Sequence, residues 1–467
     1  MIKTLINVFR VPELRNKVLF TLFMLAIYRI GFHIPLPGVD QEGFKEMANT
    51  QLAGENSAAG RIASYVSIFS GGSLSQSTIF GLGVMPYISA SIIFQLLGTV
   101  MPSLEKLQKE GQTGQRKIQE WTRYATIPLC IIQGAFWLSY MHGVKVAGAH
   151  TLVQSTMAHT FSFWFMSLAA LTAGSIFLMW LGEQIDEYGL GNGISLLILA
   201  GIIARMPNAI MLLASKVNLK ATYDANKTLG LGHIAFLILS FVFIVAGSIL
   251  ITQAQRRIPI QQAKHTRGRR VYGGARQFLP LRVNHGGVMP IIFAQSLILF
   301  PGFLFDYLGK WFPNSSFIGI LHAQFTGGKF LYVLTEAAMI YFFAYFWTTV
   351  QFQPKEMANQ LRDYGSFVPG LRPGKRTADY LEKVMMRITY VGAAFLCVIA
   401  IIPTAMNLWL GIPYQITAFL GGTGLLIVVS VALDMVQRIE ANLLMRNYSG
   451  FLGGDGNKGR RIKGRQS

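Results

Sequence analysis

GHIAFLILSFVFIVAGSILITQA (232–254) contains no Asp, Glu, Lys or Arg, whereas the stretch after it, QRRIPIQQAKHTRGRRVYGGARQFLPLRVNH (255–285), contains eight Lys or Arg. A helix rises about 1.5 Å per residue, so a charge-free run of this length crosses the roughly 30 Å hydrocarbon core of a bilayer. A basic run directly behind such a crossing marks the cytosolic side. One crossing and its basic loop set the reading of the rest of the chain.

Nine further stretches have the length and composition of a crossing, at about 18–36, 80–100, 121–141, 160–181, 191–213, 286–306, 331–351, 383–403 and 413–434. The expected fold is therefore an all-α polytopic membrane protein with ten transmembrane helices. The first stretch is too long for a cleaved signal peptide, and no small-residue cleavage site follows it. Over 467 residues, 52% are hydrophobic and 13% charged, with a mean hydropathy of +0.42. Globular chains carry about a quarter charged residues, so a soluble enzyme of ordinary composition and a disordered chain are both excluded. The two cysteines, Cys130 and Cys397, each sit inside an apolar run, which rules out a disulfide framework.

The net charge of +20 is distributed unevenly. With the N-terminus inside, segments 1–17, 101–123, 182–190, 255–285, 352–387 and 435–467 hold 4, 5, 0, 8, 7 and 7 Lys or Arg, 31 in all. The opposite segments, 37–79, 142–159, 204–231, 302–330 and 404–412, hold 9. This bias places both termini in the cytosol and makes the charge a topology signal, so DNA binding is not expected.

Loops 255–285 and 352–387 are longer and more basic than orientation needs. Attraction to anionic lipid is the plain reading, and a docking surface for a large polyanion or acidic protein the sharper one, which their length favours. The spans themselves are short of charge. Glu336 and Asp434 lie near span ends, and no carboxylate is expected at a helix centre, which argues against an ion-coupled carrier. HExxH, GxSxG and GxxxxGK[ST] are all missing, and the eight histidines have no metal-ligand spacing. Neither an enzyme nor a cofactor or metal is expected. GLGNGIS (189–195) opens a span instead of following a strand and reads as a tight turn at a helix start.

Small and polar residues gather in two spans, FGLGVMPYISASIIFQLL (80–97) and NHGGVMPIIFAQS (284–296). Such residues permit close helix approach and interhelical hydrogen bonds. Their occurrence at corresponding places in two five-span halves points to a pathway between repeats. SYVSIFSGGSLSQS (64–77) is too short to cross and fits either a surface loop or a re-entrant segment.

Several long motifs, in order, resemble the SecY family of bacterial protein-conducting channels. They are YRIGFHIPLPGVD (28–40), FSGGSLSQSTIFGLGVMPYISASIIFQLL (69–97), FLMWLGEQIDEYGLGNGIS (177–195), GRRVYGG (268–274), LPLRVNHGGVMPIIFAQSL (279–297), FVPGLRPGKRTADYL (367–381) and GGTGLLIVVSVALD (421–434). The resemblance implies two pseudo-symmetric five-helix halves around an hourglass pore in the bacterial plasma membrane. It divides the chain into a cytosolic segment 1–17, an N-terminal half 18–213, a hinge loop 214–231, a C-terminal half 232–434 with docking loops 255–285 and 352–382, and a basic tail 435–467.

It also assigns the pore ring to Val84, Ile88, Ile194, Ile198, Ile292 and Ile427. Val84 stands where isoleucine is common in the family. The pairs 84/88 and 194/198 share a helix face by their spacing, although core packing alone would account for all six. The plug is assigned to 64–75, including Ser64, Tyr65, Val66, Ser67, Ile68, Phe69, Ser70, Gly71 and Gly72. The second and seventh spans resemble the lateral gate, with Gln95, Asn284 and Gln295 as lining residues. Arg372, at the tip of VPGLRPGK (368–375), and Arg269 with Arg270 resemble docking residues for the SecA motor ATPase and the ribosome. The partners implied are SecE and SecG, SecA, the ribosome through protein and rRNA, signal peptides and nascent chains, and membrane lipids. Loop 302–330 and the tail fit the family pattern poorly. The rival reading is a secondary transporter of small molecules, which would need midplane ionisable groups.

Overall fold

The computed structural model describes residues 12–39, 78–143, 161–216, 230–262, 265–267, 270–272, 276–311, 316–326, 329–412, 416–417 and 422–452. The plug segment 64–75, Arg269 and the end of the tail lie outside these. In chain order the elements are α1 (Pro12–Gly31), α2 (Met85–Val100), α3 (Pro102–Lys109), α4 (Gln112–Gly143), α5 (Phe161–Tyr188), α6 (Gly193–Lys216) and α7 (Leu231–Gln253). Strands β1 (Gln255–Gln262), β2 (His265–Arg267), β3 (Arg270–Tyr272) and β4 (Arg276–Arg282) follow. Then come α8 (Met289–Trp311), α9 (Ser316–Thr326), α10 (Phe330–Gln351), α11 (Pro354–Asp363), β5 (Ser366–Phe367), α12 (Lys375–Leu410) and α13 (Thr423–Leu452).

Each of the ten expected crossings overlaps a helix, the last of them only from Thr423 onward. Among the described residues, five helices satisfy length and apolarity outright, and a sixth does if the pair bent by 104° between Gly98 and Pro102 is one span. Helix α7 shows the logic of the bundle. Only Leu237, Ile244 and Ser248 are buried, one stripe along the helix, while Leu239, Val242, Phe243 and Leu250 point outward. A helix of this apolarity exposed on most of its circumference requires lipid around it. One central cluster takes residues from nine helices, including Tyr28, Ile88, Ile185, Leu197, Ile244, Ile292, Phe343, Leu396 and Leu426.

Two boundaries differ from expectation. Helix α12 ends at Gly411 in a left-handed conformation (φ 62°), and α13 begins only at Thr423. The last helix also continues to Leu452, so the first part of the expected tail is helical. The reason is packing: Ile439 is buried against Leu14 of α1 and Leu190, while Arg438 pairs with Asp434 one turn away at 2.9 Å. Loop 302–330 likewise holds the end of α8 and the short apolar α9, which packs through Phe325 onto Ile298 and Tyr332.

The turn read from GLGNGIS is present between α5 and α6. Asn192 Oδ1 accepts the Ser195 amide at 3.0 Å, an N-cap bond, and Asp186 Oδ1 accepts the Gly193 amide at 2.8 Å. Thr21 of α1 accepts the Leu190 amide at 3.1 Å, which ties the turn to the first helix.

Candidate functional site

Helices α2 and α8 start in the same way. Both follow a Gly-Val-Met-Pro tetrapeptide, 83–86 and 287–290, and both glycines are left-handed, with φ of 59° at Gly83 and 58° at Gly287. A side chain there would meet the Cβ penalty that glycine avoids. The proline behind each occupies the first turn, where its missing N–H is harmless. The spans therefore start several residues later than expected, at Met85 and Met289. Val84 is consequently the residue before α2, not part of it, although its carbonyl still accepts the Ile88 amide at 3.1 Å.

The structure brings the six ring residues together. Val84, Ile88, Ile198, Ile292 and Ile427 are 8% exposed or less and belong to the central cluster, and half-buried Ile194 packs against it. All six lie at or within the first two turns of α2, α6, α8 and α13. The central cluster thus takes branched apolar side chains from the starts of four helices that lie far apart in the chain.

The gate-lining residues are placed less uniformly. Asn284 folds into the turn before α8, its amide donating to the Gly287 carbonyl at 2.8 Å. The Gln95 amide donates to Ser91 Oγ at 3.3 Å on its own helix. Gln295 donates through Nε2 to Thr423 Oγ1 on α13 at 3.1 Å. Glu336, which composition placed near a span end, is 1% exposed in the second turn of α10. Thr423 was not singled out by sequence reasoning, and Glu336 was noted only as an acid near a span end.

The basic loops are not loops. Strand β1 pairs antiparallel with β4 from Gln255↔Arg282 to Gln261↔Arg276, and with β5 at Gln261↔Phe367 and Gln262↔Ser366. Segments 255–285 and 352–387 therefore share one three-stranded sheet, ordered β4-β1-β5. Proline is disfavoured in a central strand, and Pro259 lies where β1 pairs with β4 alone, opposite Phe278 and beyond the reach of β5. Ile258, Leu281, Phe352, Val368, Leu381 and Met385 form a small core beneath the sheet.

Arg372 projects from this platform. The Leu371 amide donates to the Val368 carbonyl at 3.1 Å across Pro369 and Gly370, whose φ is 84°; this is a type II turn with the residues it demands. Buried Val368 anchors one side, and Thr377, also buried, donates its hydroxyl to the Arg372 carbonyl at 3.0 Å. The backbone is pinned on both flanks while the arginine stays exposed. Arg270 begins β3, paired with Arg267.

A family model described as SecY matches residues 78–436. The protein translocase subunit SecY of Thermotoga maritima is 39% identical over 460 residues, covering 98% of this chain and 99% of the relative. That of Thermus thermophilus is 40% identical over 452 residues, covering 97% and 98%. The chain belongs to the SecY family. Among solved structures, a protein-conducting channel superposes with a TM-score of 0.59 at 18% identity over 94% of this chain and 95% of the other. Sec61 in the canine ribosome–channel complex gives 0.55 at 16% identity, with the same coverage. These likenesses show the same fold as those channels, in agreement with the family.

Proposed function

We propose that this SecY-family chain is a passive conduit for unfolded secretory polypeptides, which also releases hydrophobic segments sideways into the bilayer. The observation that carries the reading is that Val84, Ile88, Ile198, Ile292 and Ile427, from the starts of four helices, lie in one buried apolar cluster with half-buried Ile194 packed against it, which we read as the neck of the pore. Such a neck seals against ions yet yields around a passing chain, because it is held by non-directional contacts and no hydrogen bonds need breaking. The repeated Gly-Val-Met-Pro start of α2 and α8 supports two pseudo-symmetric halves, with these helices as the two sides of a lateral gate and segment 64–75 as the plug.

The platform of β4, β1, β5 and the Arg372 turn is the docking face for SecA and the ribosome, with SecE and SecG completing the channel in the plasma membrane. The chain itself hydrolyses nothing; energy comes from the motor, the ribosome or the membrane potential. The coupled-carrier reading is not favoured, because the relatives of this chain are protein translocase subunits.

The decisive experiment reconstitutes the chain with SecE and SecG in vesicles and adds SecA, ATP and a signal-bearing precursor. Protease-protected precursor is the expected result, and no uptake at a verified level of folded channel would refute the reading. Orientation is tested separately. The 31-to-9 basic bias predicts that an impermeant thiol reagent added outside labels Ser316→Cys at the start of α9. Tyr364→Cys, behind α11, should react only after permeabilisation. Labelling of Tyr364→Cys in intact cells would overturn the assigned topology.

A further inference from the structure

Loop 302–330 is assigned to neither the neck nor the docking platform, yet it is strongly apolar. Its helix α9, SFIGILHAQFT (316–326), contains no Asp, Glu, Lys or Arg. A helix of this length rises about 16 Å, half the depth of a bilayer core, so α9 does not cross. One side of it rests on protein. Half-buried Phe325 packs with Val333 against Ile298 of α8 and Tyr332 of α10, and its ring centre lies 5.0 Å from that of Phe305 on α8. Ile318 and Leu321 share this half-buried side.

The opposite side is open. Phe317 is 71% and Ile320 61% exposed, with Gly319 and Ala323 exposed beside them. A helix that is apolar on both sides needs a cover for the one that the protein leaves bare. Three observations select lipid. Tyr332 and Val333 fall in the first turn of α10, so the Phe325 end of α9 is level with the start of that span. Helix α10 rises about 33 Å, nearly all of which the roughly 30 Å core requires, so its first turn stands at the membrane boundary. Exposed Lys329, directly before α10, places an ammonium where headgroup phosphates lie. Finally, α10 opens on an exposed apolar stripe at four-residue steps, Phe330, Leu334, Ala338 and Phe342, which on a crossing helix faces acyl chains. A face turned away from the protein at that depth meets the same lipid.

We propose that the Phe317–Ile320 face of α9 is a membrane-binding surface, seated in the extracytoplasmic leaflet, that ties the outer end of α8 to the lipid. Such a helix lies in the interface plane with its apolar side in the boundary between headgroups and acyl chains. The inference goes beyond the conduit reading and rests only on α10 being a span.

The chain is reconstituted with SecE and SecG in vesicles of phosphatidylethanolamine and phosphatidylglycerol, with a nitroxide on one introduced cysteine. Collisions with oxygen, which concentrates in lipid, are compared with collisions with a water-soluble nickel chelate present on both sides. Cys130 and Cys397 are buried, and the unsubstituted chain supplies the background. Phe317→Cys and Ile320→Cys should each collide severalfold more with oxygen than with nickel. Ile318→Cys, on the half-buried side, should collide little with either. Phe342→Cys serves as the lipid reference and Tyr364→Cys as the aqueous one. Phe317→Asp should turn the nitroxide at Ile320→Cys from oxygen towards nickel, whereas Phe317→Leu should leave the ratio within about twofold.

Nickel exceeding oxygen at both α9 sites would overturn the proposal, because the face would then lie in water. Few collisions with either reagent there would also overturn it, since a protein would then be the cover. An Ile320→Cys ratio unmoved by Phe317→Asp would show that Phe317 holds nothing in the lipid, against the proposal. If Phe342→Cys does not favour oxygen, the span reading of α10 has failed and this inference with it. If Phe342→Cys favours oxygen and the α9 sites do not, only the inference about α9 fails.

Discussion

Arg372→Glu should all but abolish SecA-driven import while leaving insertion, subunit assembly and the amount of folded channel unchanged. The turn that carries Arg372 is held by Val368 beneath it and by the Thr377 hydroxyl on its carbonyl. The tip therefore keeps its shape whatever side chain it bears, and the substitution tests the guanidinium alone. A guanidinium presented on a rigid turn makes two parallel charge-assisted hydrogen bonds to a carboxylate or phosphate. Losing such a contact at an interface costs about 2 kcal/mol or more, and glutamate adds repulsion where the partner is acidic. Import should fall about 30-fold or further on that basis. Arg372→Lys keeps the charge but not the fork, so a partial loss is expected. Topology is insensitive to the change, since it removes one basic residue among 31 on that side. Near-normal import by the glutamate variant at equal channel level would remove Arg372 from the docking surface.

The ring makes a second large effect. Ile292→Asn or Ile427→Asn should raise ion leak and allow export of precursors with defective signals. In the closed neck the asparagine amide would sit where Ile292 and Ile427 are 5% and 2% exposed, among apolar neighbours. An amide buried without a partner costs about 1–3 kcal/mol. Opening lets water solvate it, so the closed-to-open ratio should fall roughly 5- to 150-fold. Single-channel recording and an export assay with a crippled signal sequence read the two consequences independently. If both match wild type, the six residues are packing alone and the seal lies elsewhere.

Much of this molecule was legible before any tertiary contact was known. Crossings such as 232–254 follow from the absence of charge over a bilayer's thickness, which is a local property. Orientation follows from a sum over loops. The spacing of Ile194 with Ile198 already set that pair on one helix face, whereas Val84 proved to precede the helix that carries Ile88. The helix starts were less legible, because a left-handed Gly83 or Gly287 delays the helix by several residues and hydropathy does not register backbone conformation.

Three features depended on contacts between distant segments. The sequence by itself determined that loops 255–285 and 352–387 are basic, but pairing of Gln261 with Phe367 across about a hundred residues made them one platform. Alternating burial of Ile258 and Ile260 in β1 is a short strand signal, hidden in a chain whose periodicity is overwhelmingly helical. Apolar character at 84, 88, 194, 198, 292 and 427 was equally plain in the sequence, yet it is shared with dozens of lipid-facing side chains. Which of them enter the central cluster depended on tertiary contacts, because in a membrane both core and surface are apolar and composition no longer separates inside from outside. Glu336 belongs to the same class: its charge is written in the chain, whereas its burial beside Gln295 of α8 and Cys397 of α12 arises from how the helices pack.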